Sequence, residues 1–385
     1  MSYERAGSMR VLITALALAS AAFAQKTIIV DATGAGDHKT IQAAVDAARD
    51  GDRIIVRAGT YDLFKIVDKS VTLLGERLSN VYNFFAQGAS SIENLSIGKR
   101  VTIDGLTFST TMQPALRVDN CNGRVTLRDV RIYGFPSIYN TGRESSLYVS
   151  ASKSVLVQDS SLIPALYAAD STIAVVKCDI AGFDSLVGHY LVPTTAGLIA
   201  NNSSIDIAAS SIRGGIGSNS YPNATGMLVD STQISLRDSS SVTGLPAAIA
   251  SGASSLLLGI NATVTGELKG FTTQKKLALP TLTTSPAIQG QNYEIRAHGN
   301  NGDFFATFVA APGNPLPVGD FGSLWLDPVT LVTIGAGVID TSGSFALQIF
   351  AGTDAKWFAL ALDFQALVGT TNTLRLTNPA TVVYR

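Results

Sequence analysis

The sequence predicts an all-β protein: a right-handed parallel β-helix that begins with a short capping helix and is followed by a small β-sandwich. Three observations lead to this fold class. A short apolar phrase returns seven times between Val101 and Gly266, at intervals of about 26 residues. Ser, Asn, Asp and Gly interrupt each apolar run before it reaches helical length. Beyond Pro280 a different strand pattern begins. Repeats too short to bury their own apolar face stack as a solenoid.

The repeated phrase predicts the columns of the solenoid core. A smaller apolar phrase precedes most copies, as in ALRVDN and SLYVSA, so each coil reads as strand, corner, strand, corner, strand. Crossovers between parallel strands are nearly always right-handed. With ~4.8 Å between strands of successive coils, we expect a rod ~34 Å long. The copies begin with Val101, Val125, Val155, Ile173, Ile205, Ile234 and Leu256.

Residues 1–24 have the pattern of a secretory signal peptide. A basic residue, Arg10, precedes an apolar run over residues 11–22, and a small-x-small cleavage motif ends at Ala24. The run is too short to span a membrane. We therefore expect a secreted, extracellular or cell-surface protein without a membrane span.

The remaining chain divides by pattern into three parts. We expect residues 25–270 to form the β-helix, 271–285 a linker and 286–385 the β-sandwich, since the last part holds seven short strand patterns with turn signals between them. One stretch of it, ALDFQALVGTTNTLRLTN, is similar to a C-terminal module of many secreted bacterial proteins of unrelated function. No site residue follows from that likeness.

Composition limits the kinds of partner. Charged residues make up 15% of the chain and its formal net charge is −1, which gives no basic surface for nucleic acid or an anionic membrane. We expect no nucleic-acid partner and a monomer. The two cysteines, Cys121 and Cys178, fall about two coils apart, ~10 Å, beyond the ~7 Å Cα limit for a disulfide. They are predicted to be buried free thiols, and the scattered histidines predict no zinc site.

A short amphipathic helix is predicted near the start. Thr40 suits its N-cap and Gly51 its C′ position. The apolar stripe of this helix would cover the open end of the rod and shield its unpaired edges. The stripe consists of Ile41, Ala44, Val45 and Ala48.

This region carries a family resemblance. DATGAGDHKTIQAAVDAARDGDRIIVRAGTY, followed by VTLLGE, resembles the N-terminal cap of the pectin-lyase-like superfamily of right-handed β-helix proteins, such as pectin methylesterases. The resemblance covers residues 26–270 and implies the fold. It leaves activity open, because esterases, lyases, hydrolases, epimerases and non-enzymatic proteins share the cap. The family's catalytic phrases are missing: Asn140-Thr141-Gly142 lacks the aspartate of the polygalacturonase Asn-Thr-Asp, and Gly188-His189 stands alone.

Loop lengths indicate a candidate site. Long polar loops follow the third strand of coils two, four and five, whereas coil three connects directly through Pro164-Ala165, so the row of loops has a gap ~10 Å wide. Aromatic, amide and carboxylate groups beside a gap suit a sugar ring, and two carboxylates or a histidine suit acid–base chemistry. The candidate catalytic residues are Glu144, Asp184 and His189, and the candidate substrate-binding residues are Tyr139, Asn140, Arg143 and Tyr190.

A second candidate is a pair of corner aspartates. Asp129 and Asp159 occupy the same position in neighbouring coils, ~5 Å apart. They could hold Ca²⁺ through oxygen ligands, or be offset by Lys177 and neighbouring arginines, or simply suit a solvated corner. Apart from this Ca²⁺ hypothesis, the sequence indicates no cofactor.

Two functions remain open from the sequence. One is an exported β-helix protein that binds an extracellular polysaccharide or cell-surface glycan and processes it; such an enzyme would be a polysaccharide lyase or a glycoside hydrolase. The alternative is a non-catalytic surface or matrix protein, in which the rod is a spacer and the sandwich attaches it.

Overall fold

A computed structural model describes residues 25–83, 88–110, 114–134, 145–187, 190–191, 194–218 and 220–385. The predicted signal peptide lies outside these ranges. The predicted fold class is confirmed: parallel sheets form a β-helix, a short helix stands at its N-terminal end, and a β-sandwich follows. No helix in the described ranges is long and apolar enough to cross a membrane.

Three parallel sheets form the rod. Across the described residues, sheet A has eleven strands, and sheets B and C have nine each. Sheet A contains β1 Thr27–Val30, β2 Asp52–Val56, β5 Val71–Gly75, β8 Arg100–Asp104, β11 Arg124–Arg128, β14 Ser154–Gln158, β17 Thr172–Val176, β22 Ser204–Ala208, β25 Gln233–Leu236, β28 Ser255–Gly259 and β31 Thr273–Leu277. Sheet B contains β3 Gly59–Tyr61, β6 Ser79–Asn83, β9 Thr107–Thr110, β12 Arg131–Gly134, β15 Ser161–Ile163, β18 Asp179–Ala181, β23 Ser211–Arg213, β26 Ser241–Thr243 and β29 Thr263–Thr265. Sheet C contains β4 Lys65–Val67, β7 Ser90–Glu93, β10 Leu116–Asp119, β13 Leu147–Ser150, β16 Leu166–Ala169, β21 Leu198–Asn201, β24 Met227–Asp230, β27 Ala248–Ser251 and β30 Leu268–Lys269.

The core column predicted from the repeated phrase is confirmed. Its seven residues pair in register from Val101 to Leu256, and all are buried. The rod is longer than predicted, because β1, β2 and β5 precede the first phrase in sheet A and β31 follows the last. Eleven rungs correspond to ~48 Å. These outer coils do not contain the repeated apolar phrase, but their strands continue sheet A.

The corners are held by backbone geometry and hydroxyl ladders. Asp129 and Asp159 turn the chain from sheet A to sheet B with φ of 49° and 50°, a left-handed conformation that Asp adopts more readily than most residues. At the corner from sheet C to sheet A, Ser171 Oγ accepts from Ser152 N and Ser203 Oγ accepts from Ser171 N, both at 3.1 Å. At the corner, each of these backbone N–H groups donates to a serine hydroxyl of the next coil instead of to a backbone carbonyl.

The capping helix, α1, spans Ile41–Ala47. As predicted, Thr40 is its N-cap, and Thr40 Oγ1 accepts a hydrogen bond from Ala43 N at 3.2 Å. The predicted C′ role of Gly51 is wrong: Ala48 caps the helix, and Gly51, with φ of 92°, lies in the turn before β2. The helix packs on β1, β2 and β4 and so covers the N-terminal end of the rod.

Both cysteines are buried and free, as predicted. Cys178 Sγ lies 3.4 Å from Val157 O and 3.3 Å from Val176 O, inside the wall between sheets A and B. Burial raises the pKa of this thiol to about 12. The thiol therefore serves as a small packing group in the rod.

The C-terminal part is a β-sandwich. One sheet has the order β32 Thr281–Thr284, β33 Asn292–His298, β38 Ser344–Phe350. The other has the order β37 Val332–Val338, β34 Phe304–Ala310, β39 Ala361–Gly369, β40 Arg375–Leu376, with β41 Ala380–Val383 also paired to β39. A hairpin of β35 Pro312–Pro317 and β36 Ser323–Leu326 and two 3₁₀ turns, Gly319–Phe321 and Ala355–Trp357, complete it. The predicted linker, residues 271–285, contains β31 of the rod and β32 of the sandwich.

The sandwich docks sideways on the rod, against the outer face of sheet A. Trp325 of the hairpin packs in a buried apolar cluster formed by Leu156, Ala174, Val176 and Ala208. The middle strands of sheet A, β14, β17 and β22, are therefore covered on both faces, as is usual for parallel sheets.

Directional polar bonds fix this docking. The side-chain amide of Gln158 forms two hydrogen bonds with the backbone of Thr381, as the backbone of a neighbouring strand would. Its Nε2 donates to Thr381 O at 3.0 Å, and its Oε1 accepts from Thr381 N at 2.8 Å. Arg237 Nη1 donates to the carbonyls of Pro280 at 2.9 Å and Leu376 at 3.0 Å. The buried Asp104 pairs with both Arg128 of the rod and Arg385 of the sandwich. These hydrogen bonds and ion pairs form a polar interface between rod and sandwich, called the seam below.

Candidate functional site

The loops that join sheet B to sheet C stand along one edge of sheet C. In coil three, β15 ends at Ile163 and β16 begins at Leu166, so two residues make the connection. In coil four the connection runs over residues 182–197, and in coil five over residues 214–226. The short connection of coil three leads directly into β16 of sheet C. The loop of coil two, the other side of the predicted gap, covers residues 135–144, which lie outside the described ranges.

Asp184 links the loop of coil four to coil five by hydrogen bonds. Its Oδ1 accepts from Arg213 Nη1 at 2.8 Å and from Ile216 N at 2.7 Å. The two loops also meet closely at Gly215, whose N–H donates to Thr195 O at 2.9 Å, and a Cβ on Gly215 would lie 1.6 Å from Phe183 O. Glycine is required there by close backbone approach. These contacts give the gap one firm wall.

Most other predicted site residues fall outside the described ranges. Tyr139, Asn140, Arg143 and Glu144 of the coil-two loop and His189 of the coil-four loop all do so. Tyr190 lies in a two-residue strand, β20 Tyr190–Leu191, which pairs antiparallel with β19 Leu186–Val187. The coil-four loop is thus a small hairpin beyond Asp184.

An aromatic ladder lies on the outer face of sheet C, on the strands that follow the connections of coils two and three, and is called the floor below. Tyr148 and Tyr167 are in register on β13 and β16, and their rings stack at 4.8 Å with an interplanar angle of 5°. The Arg117 guanidinium lies over the other face of Tyr148, 5.3 Å from its centroid, a cation–π contact. Tyr167 Oη accepts from Asn201 Nδ2 at 2.9 Å. Both faces of the Tyr148 ring are therefore covered, Tyr148 is half-buried, and Tyr167 is only 7% exposed.

This ladder was missed in the sequence, although a signal was present. The smaller phrases ALRVDN, SLYVSA and ALYAAD, aligned, place Arg117, Tyr148 and Tyr167 at one position. The structure puts that position on the outer face of sheet C and pairs the three residues in register. Aligning the smaller phrase for its outward residues would have found them.

Charges around the floor are paired with one another. Arg117 Nη2 lies 3.1 Å from Asp119 Oδ2, and Lys65 Nζ lies 2.6 Å from Glu93 Oε2. The hydrogen bond from Lys65 lowers the pKa of the Glu93 carboxyl, so Glu93 stays ionised. With each carboxylate beside a cation, the floor presents little net charge and many hydrogen-bonding groups.

The corner aspartates are both engaged by cations. Asp159 lies 3.0 Å from Lys177 Nζ and 3.4 Å from Arg128 Nε, and Asp129 lies 2.9 Å from Arg385 Nη2. In the described ranges there is no group of three or more His, Cys, Asp or Glu side chains that could hold a metal ion. Asp129 and Asp159 line a surface groove of about 600 Å³ along this corner, together with Lys177 and Asp179. The opposite signs of these charges offset one another.

The fold defines a class: a parallel β-helix protein with loops along one edge of sheet C and a β-sandwich on sheet A. No protein-family model matches the sequence, and no curated protein matches it. Among solved structures, the chain is similar to a pectin methylesterase from Aspergillus niger, with 14% identity over 67% of this chain and 87% of that one, and a TM-score of 0.30. At this level of likeness, the fold assignment rests on the sheet topology itself.

Proposed function

We propose that the protein is exported and binds an extracellular polysaccharide in the gap above the tyrosine ladder of sheet C. The observation that carries this proposal is the coincidence of two features. Coil three has a connection of only two residues between its strands in sheets B and C. Arg117, Tyr148 and Tyr167 lie in register on sheet C beside that connection, and Asn201 donates a hydrogen bond to Tyr167. A groove open along the rod suits a chain ligand better than a compact one.

The chemistry of the floor also supports a carbohydrate ligand. Tyr148 is half-buried and presents its ring edge and hydroxyl group, while Arg117 is exposed beside it. Paired charges with free hydrogen-bonding capacity suit the hydroxyl groups of a sugar. Processing of the ligand would need an acid and a base, for which Glu144, Asp184 and His189 are the candidates.

A non-catalytic role is the second candidate function, and one observation favours it. Asp184 Oδ1 already accepts two hydrogen bonds that hold the loop of coil four to coil five. A carboxylate with these two hydrogen bonds positions a loop. A protein that only binds its ligand needs no further role for Asp184.

The test is a glycan-binding screen of the exported protein, followed by calorimetry with the polysaccharide that binds. We expect Tyr148→Ala to weaken binding at least tenfold. The matched control is Tyr133→Ala, because Tyr133 is also half-buried and belongs to the same coil, but lies on the outer face of sheet B. Equal loss in the two variants, or no saturable binding to any glycan by the folded protein, would refute the proposal. Reducing-end and lyase assays on the bound polysaccharide, with Asp184→Asn, then separate binding from catalysis.

A further inference from the structure

The sandwich has one side against the rod and one side away from it. The sandwich contacts the rod through β32, β35, β36, β39, β40 and β41 and through residues next to them. In the strand order of the two sheets, β38 and β37 are the edges farthest from those strands. Both sheets therefore end together on the side of the sandwich that faces away from the rod.

The β38 edge lacks the features that protect the other edges of the described chain. Edge strands are normally blunted by charge, proline, a bulge or short length. Sheet A ends at β31, which carries Lys275 and Lys276; β37 has a register shift opposite Thr307 and Phe308; and β40 has two residues. In contrast, β38 reads SFALQIF, has no charged residue or proline, and pairs with β33 over seven residues without a bulge.

Most side chains of β38, all but the buried Ile349, remain at least partly exposed to solvent. Phe345 and Leu347 point into the sandwich but are only partly buried, and Phe350 is 52% exposed. Gly335 of β37 faces Leu347, since a Cβ there would lie 3.7 Å from Leu347 Cδ2. A strand added beside β38 would cover these apolar groups and pair its free backbone.

We propose that two copies of this chain associate through this edge, with β38 pairing antiparallel to β38 of the second copy. The two-fold register centres on Leu347, which places Ala346 opposite the second copy's Gln348 and Ser344 opposite its Phe350. Because β38 carries no charge, no like charges meet in this self-pairing. The dimer takes the place of the monomer expected from the sequence.

The geometry of the sandwich permits this association without collision between rods. The rod-facing strands lie at the opposite side of each sandwich from β38. A side-by-side pair of sandwiches therefore keeps the two rods on its outer flanks. The faces of sheet C remain uncovered in such a dimer, so this inference holds whether or not they bind a polysaccharide.

The first test is sedimentation of the full chain at micromolar concentration. We expect a dimer, and we expect Ala346→Lys/Gln348→Lys to sediment as a monomer, because lysines would then lie opposite lysines across the two-fold axis. The matched control, Asn301→Lys/Val329→Lys, adds the same charge at two exposed turns of the sandwich and should stay dimeric. Thermal unfolding checks that each variant is folded. A monomeric wild type, or a dimer that survives the β38 lysines, would overturn the proposal.

Cross-linking tests the register independently of the charge variants. Opposed residues of an antiparallel pair have Cα atoms ~4.5–5.5 Å apart, within the range of a disulfide. Ala346→Cys/Gln348→Cys should therefore give a reducible dimer under mild oxidation, whereas the wild type should not, because Cys121 and Cys178 are buried. Association through a different surface, or capture of an unrelated extended peptide instead, would leave these cysteines without a covalent dimer and would contradict the proposal.

Discussion

Replacing Asp104 by Asn should weaken the docking of the sandwich on the rod more than any single surface change. Asp104 is 0% exposed, Arg128 Nη1 lies 3.3 Å from its Oδ2, and Arg385 Nε lies 3.0 Å from the same oxygen. Arg128 is itself 2% exposed, so the substitution removes the buried carboxylate beside its guanidinium and leaves only the more exposed Asp159, 3.4 Å from its Nε. Removing one partner of a buried pair costs ~3–5 kcal/mol. An asparagine retains one hydrogen bond, so we expect a loss near ~3 kcal/mol.

The matched control is Asp129→Asn, which removes another carboxylate from the same Arg385. The Asp129 side chain is 51% exposed, and exposed pairs are worth only ~0–1 kcal/mol. Urea unfolding followed by the fluorescence of Trp325, which packs on sheet A, measures both variants. The double variant Asp104→Asn/Arg128→Met should recover part of the loss, because no buried charge is then left unpaired. Equal destabilisation by Asp104→Asn and Asp129→Asn would refute this account of the seam.

Three further predictions concern the rod. Leu156→Ala, in the apolar cluster against Trp325, should cost ~2–5 kcal/mol in the same urea assay, and an unchanged midpoint would contradict the docking described. Ser171→Ala removes the acceptor of the buried Ser152 N–H and should cost ~1–3 kcal/mol, whereas a neutral effect would show that the hydroxyl ladder is dispensable. Burial raises the pKa of Cys178 to about 12, above the ~8.5 of an unfolded thiol. Its contribution to stability is therefore complete below pH ~8.5 and is lost as pH rises towards 12. Cys178→Ala should make this loss of stability smaller, but not abolish it, in unfolding curves recorded at both ends of that range, because burial also raises the pKa of Cys121.

Much of the rod could be predicted because a parallel coil imposes a strict pattern. An inward residue in one coil must stack on an inward residue in the next, so apolar residues recur in columns such as Val125 on Val155. Corners need left-handed backbone, which explains Asp at 129 and 159. The first three coils were not included among the predicted repeats, because the residues at their corners differ from those of the repeated phrase. Their strands TIIV and RIIV were nevertheless recognisable in the sequence.

The sideways docking of the sandwich was not predicted, although the sequence held a signal for it. Strands β14, SVLVQ, and β17, TIAVV, are apolar at consecutive positions, which is typical of strands buried on both faces. Their partner lies more than a hundred residues away, and no local pattern identifies it. The predicted site residues belong to long surface loops, whose conformations a polar composition does not determine. For that reason the sequence could name residue types for a site but not their geometry, and the site stays a prediction.

The apolar patch on sheet A also affects how the protein is made. Leu156, Val176 and Ala208 leave the ribosome well before Trp325, which covers them. At ~5–20 residues per second, the intervening segment takes of the order of ten seconds to synthesise. For that time the finished coils carry an exposed apolar strip on a flat parallel sheet. A chaperone that binds nascent chains, or slow release of the strip from the exit tunnel, would have to protect it until the last strand arrives.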